Sequence, residues 1–382
     1  MKVTGIICEY NPLHLGHTKQ LQIVRSSLSA DDGIVCLMSG NYVQRGAPAI
    51  VDKMIRAKAA VLCGADLVLE LPTTVSLSSA EGFAAGGVRI LSGFCDNLCF
   101  GAESADRHTI LRTAHALLDP SFPEHLHMQL DKGLSFPVAR QAALNNMGLD
   151  ADVLSSPNNI LAVEYCKAIL SQNSTMDIFP IHRGGNYHDS NADAINPSAT
   201  AVRSLMCSNG SWHDLIPEKA LHLFENADIH TLAAGERAIL ARVRCMTDSD
   251  FEALPYGSEG LWRKLMHAVR SKATLEDIIA EVKSKRYTRS RIDRMIMCAY
   301  LGITKKQLEE NAPYVRVLAL NDKGRSLLNN ARKNGEFINI GEAVEHPYQS
   351  LENRCSSLYG MFSTKQPDLP DVQSNYRVYY HK

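Results

Sequence analysis

Residues 2–20 read Lys2-Val3-Thr4-Gly5-Ile6-Ile7-Cys8-Glu9-Tyr10-Asn11-Pro12-Leu13-His14-Leu15-Gly16-His17-Thr18-Lys19-Gln20, and the order of residue types in this stretch decides the fold. Val3 to Cys8 is a short apolar, β-branched run, the pattern of a buried strand. Asn11-Pro12 breaks it. From Thr18 onward Leu21, Val24 and Leu28 recur at helical spacing. A buried strand therefore feeds a turn, and the turn feeds a helix whose first residues include His-Leu-Gly-His. A helix start carries free backbone N–H groups and partial positive charge, which together favour an anion. Two imidazoles three apart share a face of that turn and can donate to phosphate oxygens. Gly16 leaves room for a nucleotide against the backbone. The plain alternative is two histidines in a surface turn; strand, turn and helix in this order favour phosphate binding.

The same rhythm continues. Gly33 to Met38 reads as a second buried strand ending in Ser39-Gly40-Asn41. A helix follows over Asp52 to Cys63, then a strand over Leu67 to Leu71, a helix over Glu81 to Leu91 and a strand over Asn97 to Phe100. Strands alternating with helices predict an α/β fold with a doubly wound parallel sheet. Ligands of such sheets bind outside the carboxyl ends of the strands. The loops 9–16, 39–47, 71–79 and 101–104, the last including Gly101, all fall at such ends. Residues 106–147 form a helical insertion of three helices. Pro157-Asn158-Asn159 opens a helix to about Leu170, and a strand over Ile178 to Ile181 delivers Arg183, placed to pair bidentately with phosphate.

Within these loops several side chains have two readings. Arg45, in a Gly- and Pro-rich loop, is expected to contact ligand. Asp52 is expected to cap its helix rather than assist a metal, and Lys53 with Arg56 to form a solvated face. Asp66 and Glu70 are expected to be solvated strand-end carboxylates. His188 and Asp189 fall near the expected site in a Gly-rich loop. Ser198 and Thr200 open another helix, so their hydroxyls and the free N–H groups form a second anion site.

From about residue 215 amphipathic helices replace strands, giving a nucleotide-binding domain over 1–212 and a mainly helical domain over 213–382. Tyr314 to Leu320 is a late strand, and from Pro347 on an irregular tail with some helix is expected. Lys283, Lys285, Arg286, Arg289, Arg291 and Arg294 face a single acid within twelve positions. With Tyr287 as a base to stack on, the first five suit an RNA backbone; a solvated helix face is the plainer reading.

The formal net charge of −1 over 382 residues gives no global pull toward nucleic acid. The ten cysteines include no Cys-x-x-Cys pair, so no structural zinc site is expected. They read as reduced thiols of a soluble cytoplasmic protein without a membrane span.

His14-Leu-Gly16-His17 resembles the H-x-G-H motif of the nucleotidyltransferase superfamily. Gly5-Ile-Ile-Cys-Glu-Tyr-Asn-Pro12, Ser39-Gly-Asn-Tyr-Val-Gln-Arg-Gly46, Gly64-Ala-Asp-Leu-Val-Leu-Glu-Leu-Pro72 and Pro157-Asn-Asn-Ile-Leu161 resemble, more closely, the bacterial tRNA(Met) cytidine acetate ligases. The resemblance spans most of the chain and implies a Rossmann-like nucleotidyltransferase domain. It implies catalytic His14 and His17, and ATP contacts along Ile7, Cys8, Glu9, Tyr10, Asn11, Pro12, Leu13, His14, Leu15, Gly16, His17, Thr18, Lys19 and Gln20. Asn158, with Asn159 as the neighbouring option, would also meet ATP. Asn196-Pro-Ser198-Ala-Thr200-Ala-Val-Arg203 resembles the superfamily's S-[ST]-T-x-[IL]-R motif, with Ala199 and Val202 as departures; Ala199 gives up one hydroxyl. The implied reaction activates acetate as acetyl-AMP and acetylates N4 of the wobble cytidine of elongator tRNA(Met). Mg²⁺ would accompany the triphosphate, although no carboxylate cluster marks its seat; no protein partner is implied. Two rivals stand: an adenylyltransferase making a dinucleotide cofactor, and an RNA-binding protein that kept the fold without turnover.

Overall fold

The computed structural model describes residues 1–183, 197–333, 338–339, 345–365 and 376–382. Its strands are β1 (Val3–Cys8), β2 (Gly33–Ser39), β3 (Tyr42–Val43), β4 (Ala47–Pro48), β5 (Leu67–Leu71), β6 (Asn97–Ala102), β7 (Asp177–His182), β8 (Val315–Asn321), β9 (Ile338–Asn339) and β10 (Tyr379–His381). The sheet runs β10-β8-β5-β2-β1-β6-β7, with β9 paired to β8. From β5 to β7 every pairing is parallel. The chain winds outward from β1 through β2 to β5, then returns to lay β6 and β7 on the other side of β1. That reversal opens a crevice at the carboxyl ends of β1 and β6, where the His-Leu-Gly-His loop begins.

Strand alternation explains why both faces are covered. Val35 and Leu37 of β2 join a core with Phe83, Val88, Ile110 and Val163. Ile34, Cys36 and Met38 join a second core with Leu21, Val24, Ala57, Val202 and Phe224 on the opposite face. The insertion forms helices Arg107–Leu118, Phe122–Leu130 and Phe136–Asn146, with Ile110, Phe122 and Leu144 in the first core.

Sequence from both ends of the chain builds the sheet. β8 pairs antiparallel with β5, and β10 pairs parallel with β8. The sheet thus extends beyond residues 1–212 and makes the architecture mixed at one edge. The helices between β7 and β8 bury a third core, in which Ile239, Leu265, Ile279 and Met295 pack together. The helix expected within the tail is Pro347–Tyr359, a regular one, and its Leu351, Cys355 and Tyr359 pack in that core. Tyr42 of the β3–β4 hairpin enters it too, donating from its hydroxyl to the Cys355 carbonyl at 3.0 Å. Among the described residues no helix is long and apolar enough to cross a membrane.

Candidate active site

His14 is the N-cap of helix Leu15–Ser26. Its Nδ1 accepts from Gly16 N at 3.1 Å, and the His17 Nδ1 accepts from His14 N at 3.3 Å. Both Nδ1 atoms are therefore acceptors, which puts the proton of each neutral ring on Nε2. Burial, then the charges of Arg183 and Arg203, pushes His14 down to about 3. Burial, then His14 and Arg183, holds His17 well below the ordinary histidine value. At neutral pH both are uncharged donors, and the His14 Nε2 is buried with no hydrogen-bond partner among the described residues. Gly16 leaves room for the ring: a Cβ at that position would sit 3.0 Å from His14 Cε1 and press on it.

A second helix start abuts the first. Helix Ala199–Cys207 is capped by Ser198, whose Oγ accepts from Ala201 N at 3.1 Å. The Pro197 carbonyl oxygen lies 3.8 Å from where a Gly16 Cβ would be. Arg203 ties the two starts together, donating to the Asn11 carbonyl at 2.6 Å and to Thr200 Oγ1 at 3.1 Å. Arg183 extends the ladder past β7, its backbone N–H donating to the Ala102 carbonyl at 2.8 Å, and its guanidinium donates to Asn158 Oδ1 at 3.4 Å. Two helix N-termini, two arginines and two imidazoles thus converge beside Gly101, an array suited to a polyphosphate.

The expected residues divide by position. His14, Gly16, His17, Gly101, Asn158, Arg183, Ser198 and Thr200 gather at this crevice. Tyr10, Asn11 and Leu13 are buried and shape the loop from beneath; the Asn11 side chain accepts from Ile50 N at 2.7 Å. Asn159 uses its side-chain oxygen to accept from Ser104 N at 3.1 Å. Asp52 caps helix Lys53–Leu62 through Met54 N at 2.7 Å. Arg45 is exposed. His188 and Asp189 lie outside the described residues.

Four charged residues depart from expectation. Lys53 and Arg56 do not form a solvated face; both are buried. Lys53 Nζ pairs with Glu70 Oε1 at 2.6 Å. Arg56 donates to the carbonyls of Glu9 at 2.7 Å, Ser39 at 3.1 Å, Val51 at 2.8 Å and Gly40. That clasp fixes the carboxyl ends of β1 and β2 on one guanidinium, and helical spacing alone carries no signal of it. Asp66 and Glu70 are buried rather than solvated. Asp66 accepts from Ile34 N at 2.8 Å and pairs with Arg25 at 2.5 Å.

The basic run also changes character. Arg289 pairs with Glu276 at 2.8 Å and Asp293 at 2.9 Å, and Arg286 and Arg291 pair with Glu259 at 3.4 and 3.2 Å. Tyr287 is buried, its hydroxyl donating to the Glu259 carbonyl, so it offers no stacking face. Lys283 and Lys285 remain exposed. Among the described residues no group of three or more His, Cys, Asp or Glu side chains could hold a metal ion. The described residues of the crevice present donors, so they do not fit a resident Mg²⁺.

A family model described as HIGH Nucleotidyl Transferase matches residues 1–371. A tRNA(Met) cytidine acetate ligase of Clostridium novyi is 39% identical over 87% of this chain and 88% of its own length. One from Clostridium perfringens is 38% identical over 99% and 98%. The chain belongs to the tRNA(Met) cytidine acetate ligase family. Among solved structures, apo Thermotoga maritima TmcAL superposes with a TM-score of 0.92 at 29% identity, covering both chains completely. The same protein bound with alpha-thio ATP superposes at 0.88. The likeness therefore extends past the nucleotide crevice, through the helical region and the returning strands.

Proposed function

We propose that this protein is an ATP-dependent ligase that converts acetate to acetyl-AMP and transfers the acetyl group to N4 of the wobble cytidine of elongator tRNA(Met), forming N4-acetylcytidine. An acetate oxygen attacks the α-phosphorus and pyrophosphate leaves; N4 then attacks the acetyl carbonyl, and AMP leaves with loss of a proton. Acetate is a poor electrophile until AMP becomes its leaving group. The observation that carries the nucleotide step is the pair of neutral Nε2–H donors set beside Arg183 and Arg203 at two adjoining helix starts. Such pre-set donors stabilise charge that moves onto the departing pyrophosphate, and no protein nucleophile is needed. The acetyl acceptor rests on full-length relatives that bear the acetate ligase name.

In this reading His14 and His17 act on the phosphates, Asn158, Arg183, Ser198 and Thr200 hold ATP, and Mg²⁺ arrives on the triphosphate as part of the substrate. Residues 1–212 carry the ATP-binding site, on a sheet that β8 and β10 of the later part complete, and the helices of 213–382 form the tRNA-binding part, with Lys283, Lys285, Arg286, Arg289 and Arg291 on the RNA side. The reaction belongs to the cytoplasm, where ATP and tRNA meet. Incubation with ATP, labelled acetate and bulk tRNA, followed by digestion to nucleosides, should yield labelled N4-acetylcytidine, AMP and pyrophosphate. Formation of a dinucleotide would favour the cofactor adenylyltransferase instead. Absence of ATP binding would favour a non-catalytic RNA-binding protein.

A further inference from the structure

Glu103 lies just past β6, in the loop expected to border the ligand, yet its carboxylate faces protein. It accepts from Ser156 Oγ at 2.8 Å, from Asn158 Nδ2 at 2.6 Å and from Asn159 N at 3.0 Å. All three donors belong to the start of helix Pro157–Ser171. The clasp is reciprocal, since Asn159 Oδ1 accepts from Ser104 N. Burial would raise the Glu103 carboxyl, but these hydrogen bonds outweigh it and hold it below the ordinary range. Both carboxylate oxygens are thus already engaged by donors of the protein itself. The carboxylate also fills a helix start that would otherwise draw phosphate.

What Glu103 does instead follows from the two ends of the Asn158 amide. The NH₂ end is committed to Glu103, so the oxygen must face the other way, and there it accepts from the Arg183 guanidinium at 3.4 Å. Reversing the amide would set its oxygen against a carboxylate and its NH₂ against a guanidinium, two repulsions at once. We infer that Glu103 is a positioning residue: it fixes the orientation of Asn158, and through that amide it holds Arg183 over the ATP phosphates. The inference rests on the reading of Arg183 as an ATP ligand. An arginine stem has several rotatable bonds, and ordering it in advance spares the cost of ordering it when ATP binds.

The test is ATP affinity and steady-state kinetics of Glu103→Gln, Asn158→Ala, Arg183→Ala and the two double variants that join Glu103→Gln to each of the others, with melting temperature measured for all. Glu103→Asp serves as the conservative variant. Arg183→Ala should raise the ATP KM by about tenfold or more, the effect of removing one charge-assisted hydrogen bond. Glu103→Gln should raise KM in the same direction, Glu103→Asp should restore part of it, and Glu103→Gln should add almost nothing once Asn158 or Arg183 is already replaced. Additive effects on KM, or a lowered melting temperature with KM unchanged in Glu103→Gln, would overturn the positioning role. If Arg183→Ala itself leaves ATP affinity intact, the ATP role of Arg183 falls, and the inference falls with it. If Arg183→Ala weakens ATP and Glu103→Gln does not, the inference alone falls.

Discussion

The rings of His14 and His17 lie 3.8 Å apart between centroids and 30° from parallel, each with its Nδ1 turned to a backbone N–H of the same helix start. The two hydrogen bonds occupy both Nδ1 atoms, which leaves Nε2 of each ring as its donor. Orientation, tautomer and charge state are thereby settled before any nucleotide arrives, which is the condition for electrostatic stabilisation without reorganisation.

His17→Ala removes one such donor and should lower the rate of acetyl-AMP formation by roughly a hundredfold, about 3 kcal/mol of transition-state stabilisation. The fold should survive, since the partly exposed ring is a minor part of the core. Pyrophosphate release at close to the normal rate by the folded variant would disprove the role.

The low value of His14 gives stability a defined pH dependence. In the folded protein the ring stays neutral down to about 3, whereas its ordinary value is 6.5. Below 6.5 the unfolded chain takes up a proton that the folded chain refuses, so linkage removes stability as pH falls from 6.5 toward 3. His17 is shifted in the same direction. His14→Gln should therefore lose less stability than the parent over this window. Chemical denaturation at a series of pH values checks it, and parallel curves for the two proteins would refute it.

Lys53 and Glu70 offer a stability test away from the crevice. Their 2.6 Å pair is almost wholly shielded from solvent, so Lys53→Met should strand a buried carboxylate at a cost of about 3–5 kcal/mol. The combined Lys53→Met and Glu70→Leu variant should recover most of that deficit, because two apolar side chains need no partner. Urea denaturation of the three variants decides it; an additive double variant would show that the pair is not the unit of stability.

The limits of the sequence follow from the same residues. The His-Leu-Gly-His helix start is readable because its capping hydrogen bonds close within three residues, and β1 because its short apolar, β-branched run marks a buried strand whatever it pairs with. Lys53 and Arg56 mislead because their acceptors come from elements 5 to 47 residues away. Helical spacing records which residues share a face, not what that face meets. Tyr287 likewise looks available beside six cations, and only its distant neighbour Glu259 reveals that it is buried. The return of β8 to the edge of the sheet depends on pairing with β5, some 250 residues earlier in the chain, and local pattern cannot specify a partner at that separation.

Gly46 joins the loop after β2 to the helical region. Its φ is +79°, and a Cβ there would lie 2.4 Å from Arg294 N and 2.5 Å from the Asp293 carbonyl carbon. Both obstacles are helix backbone and cannot move aside. Gly46→Ala should cost about 1–3 kcal/mol and loosen the packing of the hairpin on helix Arg289–Leu301. Hydrogen exchange across residues 42–48 should rise; an unchanged melting temperature and unchanged exchange would refute the close packing.

The basic run separates into two kinds of residue with different expected behaviour. Lys283 and Lys285 are exposed, whereas Arg286, Arg289 and Arg291 are engaged by Glu259, Glu276 and Asp293. Replacing both lysines by Gln should weaken tRNA binding, with the log–log salt slope falling by roughly 0.7 to 0.9 for each phosphate that is no longer neutralised. Melting temperature and acetyl-AMP formation should not change, because neither lysine touches a core or the crevice. Arg289→Gln should behave differently: it strips Glu276 and leaves Asp293, already pushed up by burial to about 6, without its cation, so melting temperature should fall as well. Titration of tRNA over a range of salt concentrations, with melting curves alongside, separates the cases. A slope that the lysine pair does not move would show that this run is a solvated, internally paired face and that tRNA is held elsewhere on the helical part. Failure of acetyl-AMP formation in the folded lysine variant would instead show that the two halves of the chain do not divide the reaction as proposed.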